Sequence, residues 1–361
     1  MAHISGVTYV SSDSVFSCDE DGYDLGHSVP VGAGTSPVVV GNLTDPDHRI
    51  YVAASDGTIS LFRREVQNLA ATFNVGQEVT WSLAHADGSL YVGTGTFQTP
   101  QGSVIALDDS TGNVLWTRPL PGPVLFPASI AFEHHRPHRV VVGTGGQDQR
   151  MYALDPASGV EIWNQPGYAF GQLVHEHVVY YADIGATGLR ARSIADGSLI
   201  WEYNNPRDFN FNRPAIARNV LYVTSLADQV FAFDATLGDV LWQAQAETGQ
   251  GVPVPFFDDG QGVALLIFAF GQNSPENSYL LALDANSGAL VWTSTIPIAG
   301  PGQSGTDPIT FWYNFEGERT EVEVGTPDGK LMSFNPYTGQ LNWELQLTNS
   351  AVIARPHWAY Y

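Results

Sequence analysis

The stretch ALDDSTGNVLW at residues 106–116 decides the fold, because the chain writes the same eleven-residue pattern several times. It returns as ALDPASGVEIW at 153–163, AFDATLGDVLW at 232–242 and ALDANSGALVW at 282–292. RSIADGSLIW at 192–201 and SFNPYTGQLNW at 333–343 are looser copies. SCDEDGYDLG at 17–26 has lost the tryptophan, and residues 60–73 hold the place of a degenerate copy. The copies lie roughly 40–50 residues apart, which is a spacing typical of structural repeats.

Each repeat consists of short segments in which apolar and polar residues alternate, separated by Gly, Asp, Asn and Ser. In one repeat these segments are RPAIA at 213–217, VLYVTS at 220–225, VFAFD at 230–234 and DVLWQA at 239–244. Alternation of this kind favours strands, and no sustained period of 3.6 residues favours a helix. Strands in blade-sized repeats predict an all-β fold: an eight-bladed β-propeller of four-stranded antiparallel blades.

The repeated motif has a mechanical explanation. An Asp or Asn followed by Thr or Ser and then Gly makes a tight turn, in which the glycine accepts a positive φ. We expect the tryptophan to lie on the outermost strand, seal the joint to the next blade and donate its indole N–H to a backbone carbonyl. Six copies end in this residue: Trp116, Trp163, Trp201, Trp242, Trp292 and Trp343.

This pattern resembles the tryptophan-docking motif of the pyrroloquinoline-quinone repeat found in quinoprotein propellers. The resemblance covers nearly the whole chain and implies the propeller fold, although many members of the family bind no quinone. Quinoprotein dehydrogenases use a vicinal disulfide, calcium ligands and a catalytic aspartate. The single Cys18 cannot form that disulfide, and the other groups match no position here. We therefore expect no cofactor, and pyrroloquinoline-quinone-dependent dehydrogenation is the least favoured function.

The charge of the chain limits its partners. Its 361 residues include 37 acids and 15 Lys or Arg, giving a formal net charge of −22. A polyanionic surface repels nucleic acids and anionic membranes, so we expect neither as a partner. The first residues lack the pattern of a signal peptide, which predicts a cytoplasmic protein. A quinone-free relative, the bacterial outer-membrane assembly lipoprotein, is an exported scaffold, and we do not expect its function here.

The two ends of the chain complement each other in sequence. IARPHWAYY at 353–361 has the pattern of an innermost strand, and residues 6–19 that of the second and third strands of a blade. Together they predict a first blade shared between about 1–32 and 351–361. Such a blade would join the two ends of the chain into one closed domain spanning 1–361, without an unpaired strand edge between the first and last blades.

The repeats also predict a site. Innermost strands tend to begin at a residue before proline, and in a propeller these starts surround one mouth of the axial channel. The ligand-binding candidates there are Arg213, Arg355, Trp81, Phe126, Phe170, Tyr168, Phe211, Trp312 and Trp358. Guanidinium groups pair with carboxylate or phosphate, and aromatic rings supply stacking area. The loops at 97–103 and 271–279 should overhang this mouth, where Asp148 could add a polar contact.

Several functions fit this mouth. The leading hypothesis is a quinone-free propeller that binds a planar or anionic small molecule, or a partner protein. The main alternative is a cofactor-independent enzyme of the lyase, isomerase or hydrolase type, with Asp307 or His357 as general acid or base. A scaffold is a third, in which Arg213, Asp307 and Arg355 pair to close the channel. We expect no metal site, because FEHHRPHR at 132–139 has the pattern of a solvated hairpin tip.

Overall fold

The chain folds into short antiparallel strands. The computed structural model describes residues 10–11, 14–18, 24–30, 38–40, 49–63, 69–79, 83–167, 169–183, 188–204, 214–225, 229–245, 254–258, 262–271, 278–296, 309–313, 319–326 and 330–346. These residues form strands and turns without a helix. The all-β prediction is therefore confirmed for this part of the chain.

The strands group into successive sheets, each of which uses consecutive strands in chain order. The first sheet contains β1 (Val10–Ser11), β2 (Ser14–Cys18) and β3 (Asp24–Pro30). The second contains β4 (Val38–Val40), β5 (Arg49–Ala53), β6 (Thr58–Arg63) and β7 (Leu69–Asn74). The third contains β8 (Ala84–Ala86), β9 (Ser89–Gly93), β10 (Gly102–Asp108) and β11 (Val114–Leu120). The fourth contains β12 (Ser129–Glu133), β13 (Arg136–Gly143), β14 (Arg150–Leu154) and β15 (Glu161–Pro166).

The second half of the chain repeats this arrangement. The fifth sheet contains β16 (Ala169–His175), β17 (Val178–Asp183), β18 (Gly188–Ser193) and β19 (Leu199–Asn204). The sixth contains β20 (Ala215–Ala217), β21 (Val220–Thr224), β22 (Gln229–Asp234) and β23 (Val240–Gln245). The seventh contains β24 (Val254–Asp258), β25 (Gly262–Gly271), β26 (Ser278–Asp284) and β27 (Leu290–Ile296). The last contains β28 (Ile309–Tyr313), β29 (Arg319–Gly325), β30 (Lys330–Phe334) and β31 (Leu341–Gln346).

These sheets are the antiparallel four-stranded blades of a β-propeller, but the predicted number of blades is wrong. The described residues form seven four-stranded blades rather than eight, and the N-terminal sheet has three strands in the order β1-β2-β3. The eighth blade depended on a fourth strand from residues 351–361, which lie outside the described part of the chain. The predictions that the C-terminus completes the first blade and that 1–361 is one domain stay predictions.

The sheets belong to two compact units. One unit contains the β4–β7, β8–β11, β12–β15 and β16–β19 sheets, and the other contains the β1–β3, β20–β23, β24–β27 and β28–β31 sheets. Inside each unit the cores lie between neighbouring sheets. Val104 and Ala106 of β10, for example, pack with Val140 and Val142 of β13, and all four are fully buried.

Every four-stranded blade carries a β-bulge at the same place on its outermost strand. Between β10 and β11 the register shifts after Ala106, which lies opposite Trp116, while Leu107 lies opposite Val114. The corresponding ladders of the other six blades shift at the same step. Leu115 is thereby left outside the register, and its side chain and that of Val114 are more than half exposed. The outermost strands therefore present apolar residues to solvent just before the tryptophan.

The turn between the third and fourth strands explains the Asp and Gly of the motif. The Asp108 carboxylate accepts hydrogen bonds from the backbone N–H groups and hydroxyls of Ser110 and Thr111. These bonds, with those from Thr111 as the largest cause, lower the pKa of Asp108 to about 2. Gly112 adopts a φ of 71°, and its N–H donates to the Asp108 carbonyl at 2.8 Å. Asp155 and Asp284 likewise accept bonds from the N–H and hydroxyl of the serine three residues later in their own turns.

Two glycines, one in this turn of the fourth sheet and one in the segment after β7, separate the effect of a positive φ from the effect of packing. Gly159 and Gly76 both have a φ of 69°. A Cβ on Gly159 would lie 2.5 Å from the Trp116 ring, whereas one on Gly76 would meet nothing within 4 Å. We expect Gly159→Ala to lower the free energy of unfolding by about 1–3 kcal/mol more than Gly76→Ala, because only the former overpacks a joint. Urea unfolding of both variants measures the difference, and equal losses would show that the Trp116 contact is not tight.

Candidate functional site

Four of the docking tryptophans join neighbouring blades as predicted. Trp116 Nε1 donates to the Pro156 carbonyl at 2.8 Å, and Trp163 Nε1 donates to the Ile194 carbonyl at 2.8 Å. Trp242 and Trp292 make the same bond to the carbonyls of Ala285 and Pro336 at 3.1 and 3.0 Å. Each acceptor carbonyl belongs to the residue directly after the Asp, Ser or Asn that begins the tight turn in the next blade. Trp343 differs, because its Nε1 donates to Glu321 Oε2 of its own blade at 3.1 Å.

A tyrosine on the second strand reinforces this joint. The Tyr91 hydroxyl lies 3.4 Å from the Pro156 carbonyl, and its ring lies against Trp116 with centroids 6.0 Å apart. Tyr222 repeats the arrangement with Trp242 and the Ala285 carbonyl. Phenol and indole thus meet at one carbonyl oxygen, which uses both of its lone pairs.

The joint between the β4–β7 and β8–β11 blades has a different construction. By register Ala71 stands where the other blades carry the tryptophan, since it lies opposite Leu61 as Trp116 lies opposite Ala106. Two residues later, Phe73 occupies the space beside Gly112, whose added Cβ would lie 2.0 Å from the Phe73 ring. The apolar part of this joint is therefore smaller than in the tryptophan-bearing blades.

Charged groups fill the rest of this joint. Asp109, the first residue after the motif aspartate, accepts from Arg49 Nη1 at 2.7 Å and lies 2.9 Å from His85 Nε2. The Tyr51 hydroxyl donates to the Asp109 carbonyl at 3.0 Å, and its ring stacks on the His85 imidazole. The Asp109 and His85 side chains are only 8% and 7% exposed. We call Arg49, Tyr51, His85 and Asp109 the ionic joint.

Burial sets the protonation states in the ionic joint. It is the largest cause that lowers the pKa of His85, and it outweighs the hydrogen bond to Asp109, which acts in the opposite direction. Burial likewise raises the pKa of Tyr51 to about 12. The phenol is therefore protonated at neutral pH and can donate, while the imidazole is neutral.

Most of the predicted mouth lies outside the described residues. This holds for Arg213, Arg355, Asp307, His357, Trp81, Tyr168, Phe211 and Trp358. Phe170 belongs to β16 and Trp312 to β28, which are the first strands of their sheets. Phe126 is half-buried in the loop before β12. The convergence of these residues on one mouth thus stays a prediction.

The structure does describe the loops at this end of the third and fourth sheets. The Val124 N–H donates to the Thr94 carbonyl at 3.0 Å, and the Gly145 N–H donates to the Pro123 carbonyl at 2.9 Å. These bonds connect residues 94–101, 121–128 and 144–149, which we call the loop platform. Close backbone contact requires glycine here, because a Cβ on Gly122 would lie 2.5 Å from the Gly145 carbonyl oxygen. Hydrogen bonds between backbone groups of these three segments therefore order the loop platform.

One large aromatic residue of the loop platform is mostly exposed. Phe97 is 62% exposed, compared with 49% for Tyr337 and 42% for Phe132. Its turn is fixed by bonds from the Thr99 N–H to the Thr96 carbonyl at 3.1 Å and from the Thr96 N–H to the Thr99 hydroxyl at 2.8 Å. Phe97 is thus an exposed aromatic ring on a constrained backbone.

A carboxylate lies in the same platform. Asp148 Oδ2 accepts hydrogen bonds from the Thr144 hydroxyl at 2.7 Å and the Tyr152 hydroxyl at 2.8 Å. Burial, followed by the bond to Asp148, raises the pKa of Tyr152, so the phenol stays protonated as a donor. Asp148 is half-buried and held in place by these donors.

A buried amide on the neighbouring inner strand has one unused acceptor. Gln172 lies in the bulge of β16 and is 1% exposed. Its Nε2 donates to the Pro127 carbonyl at 2.9 Å and to the Val141 carbonyl at 3.2 Å. Its Oε1 is buried and has no hydrogen-bond partner. Sequence reasoning missed this residue, because no repeat pattern marks it.

The histidine-rich hairpin matches its predicted structure. His134 and His135 form the exposed turn between β12 and β13, both with positive φ, and His138 Nδ1 lies 3.1 Å from Glu133 Oε2. Among the described residues, no three His, Cys, Asp or Glu side chains are placed to share a metal ion. That part of the chain also contains no helix of the length and hydropathy needed to cross a bilayer.

Comparison with known proteins places the chain in a family. The model of the PQQ_2 family, described as the outer membrane protein assembly factor BamB, matches residues 55–212 and 185–355. The chain belongs to the PQQ_2 family. This membership confirms the resemblance seen in the tryptophan-docking motif.

Individual relatives of this PQQ_2 chain include an assembly factor and a hydrolase. The outer membrane protein assembly factor BamB of Bordetella pertussis is 24% identical over 331 residues, which cover 80% of this chain and 76% of that protein. The tetrathionate hydrolase of Acidithiobacillus ferrooxidans is 22% identical over 83% of this chain and 59% of its own length. The structure of BamB from Moraxella catarrhalis matches with a TM-score of 0.63 at 18% identity, over 89% of this chain and 92% of that chain. The structural match shows a shared fold.

Proposed function

We propose that this chain is a binding propeller that recognises a partner protein with its loop platform. The observation behind this proposal is Phe97, an aromatic side chain 62% exposed on a turn fixed by hydrogen bonds. Aromatic residues, phenylalanine among them, are enriched in protein interfaces relative to the rest of the protein surface. Because the backbone is already ordered, little conformational entropy is lost when a partner covers the ring.

Charge and relatives support the same function. The net charge of −22 and the Asp148 carboxylate in the platform favour a partner whose apolar patch is bordered by Lys or Arg. The Bordetella pertussis relative is named as an assembly factor, and a factor of that kind acts on other proteins. By this proposal, the present chain also has a protein partner.

A binding experiment can test Phe97 directly. Peptides are selected from a displayed library against the immobilised chain, and their dissociation constants are then measured by titration. We expect Phe97→Ala to weaken the selected peptides by about 10–100-fold, which is the effect of removing an interface anchor. Phe132→Ala is the matched control, because Phe132 is 42% exposed at the hairpin end of β12, away from the platform. Equal losses in the two variants, or none, would contradict the platform as the binding site.

A small molecule at the predicted mouth is a second candidate. It rests on the sequence prediction that arginine and aromatic side chains gather at that mouth. Arg213 and Arg355 would bind the anionic group of a planar ligand. If a ligand is found, Arg213→Ala and Arg355→Ala should abolish its binding in calorimetry without changing the melting temperature. Unchanged binding would leave the protein partner as the function.

An enzymatic alternative rests on other residues. It is supported by the similarity to tetrathionate hydrolase, of whose length this chain covers 59%. Asp307 or His357 would then act as general acid or base at the mouth. These two roles and a cytoplasmic location stay predictions from the sequence.

A further inference from the structure

The blade joint without a tryptophan differs from its neighbours in chemistry as well as in size. At the Trp163 joint an indole bonds to the Ile194 carbonyl, and neither group titrates near neutral pH. At the ionic joint the corresponding contact consists of Arg49, Asp109 and His85, with Nη1–Oδ1 and Nε2–Oδ2 distances of 2.7 and 2.9 Å. Histidine is the side chain whose ordinary pKa lies within the physiological range.

We propose that the ionic joint is an acid-sensitive seam: it holds the β4–β7 and β8–β11 blades together while His85 is neutral, and it loosens when His85 binds a proton. This inference does not depend on the proposed partner, because it concerns how two blades are joined. The rest of the argument follows from the charges around the imidazole.

The groups that face His85 come from three elements. Arg49 and Tyr51 face it from β5, Asp109 from the turn after β10, and Asp87 from its own hairpin. At neutral pH the Arg49 guanidinium and the Asp109 carboxylate balance each other, so the pair carries no net charge. A proton on His85 adds a second cation to a site whose imidazole is 7% exposed. Burying that charge is unfavourable, even though Asp109 attracts it.

The sign of the pH dependence follows from linkage. In the unfolded chain the imidazole has its ordinary pKa of 6.5, and in the folded chain burial lowers that pKa. Between the two values the unfolded chain binds more protons than the folded chain. Stability contributed by the joint is therefore complete above pH 6.5 and falls as the pH falls through this window. Local opening of the joint also exposes the imidazole to water. The free energy of opening therefore falls with pH in the same direction as the free energy of unfolding.

Hydrogen exchange of the full chain can measure this opening. The turn at residues 108–113 reports on the ionic joint, and the turn at 193–198 reports on the tryptophan joint as an internal control. Protection factors corrected for intrinsic exchange are compared at about pH 7.5 and about pH 5, the range in which histidine titrates. We expect protection at 108–113 to fall about tenfold relative to 193–198, because opening of the joint lets His85 bind a proton that burial disfavours.

The variant His85→Gln removes the titration and keeps an N–H donor for Asp109. In this variant the extra loss of protection at 108–113 should disappear, so that both turns respond equally to pH. The seam is refuted if the two turns already respond equally in the unmodified chain, or if His85→Gln retains the difference.

A second measurement covers the case in which His85→Gln fails to fold. The imidazole proton resonance of His85 in the unmodified chain is followed by NMR as the pH is lowered. A titration midpoint below 6.5 supports the seam, and a midpoint at or above 6.5 overturns it.

Discussion

Replacing Trp163 with alanine should lower the free energy of unfolding by about 3–5 kcal/mol, the range for removing a large buried aromatic side chain. The indole is 7% exposed, donates to the Ile194 carbonyl at 2.8 Å and lies beside Gly197, whose added Cβ would be 2.9 Å from the ring. The substitution leaves a cavity between two blades and a carbonyl without its donor. Urea unfolding measures the loss, and hydrogen exchange in β15 and β18 locates it.

Two control variants separate the parts of this effect. Trp163→Phe retains an aromatic ring but lacks the indole N–H. It should lower the free energy of unfolding less than Trp163→Ala does, because the phenyl ring fills part of the cavity. Ile162→Ala changes the preceding residue, which is 39% exposed, and should alter stability by only about 0.5 kcal/mol. If Trp163→Ala cost no more than Ile162→Ala, the tryptophans would not be what joins the blades.

The second large effect is expected at the ionic joint. Asp109→Ala leaves the Arg49 guanidinium in a partly buried site without its carboxylate and His85 without its acceptor. Removing one partner of a buried ion pair costs about 3–5 kcal/mol, because the remaining charge stays desolvated. Arg49 is 21% exposed, so water compensates in part and the lower end of this range is expected. Urea unfolding at neutral pH measures the loss.

A double-mutant cycle tests whether this loss comes from the pair. In the double variant Arg49→Leu with Asp109→Ala no uncompensated charge remains, so it should be more stable than Asp109→Ala alone. Asp108→Ala is the matched control, since it removes a neighbouring carboxylate that accepts the hydrogen bonds of the turn but is not the partner of Arg49. Simple addition of the two single losses would show that Arg49 and Asp109 do not stabilise each other.

The sequence is informative where the chain repeats itself. The motif predicted the turn, the outermost strand and the bond from the indole, because tight turns and large aromatic joints impose the same residues in every copy. The number of blades was less secure, because it depended on pairing the two ends of the chain. Periodicity cannot test that pairing, since residues 353–361 carry no copy of the motif.

The sequence is less informative where a single copy departs from the pattern. Asp109 was visible in ALDD, where other copies have ALDP or ALDA, and Ala71 stood where a tryptophan was missing. Each departure alone has no evident meaning, and only the fold shows that they meet in one joint. Phe97 lay in a loop expected to overhang the mouth, but its exposure depends on a turn made by Thr96 and Thr99. The predicted mouth residues lie outside the repeated motif in the sequence, so the motif gives no direction for their side chains.

The bulge on every outermost strand has a consequence for solubility. A strand edge that carries exposed Val114 and Leu115 would ordinarily template the addition of another chain, and so the growth of fibrils. The register shift at this pair interrupts the ladder of N–H and C=O groups and twists the edge, so an incoming strand cannot pair continuously along it. The repeat thus combines an apolar perimeter with a built-in barrier to aggregation.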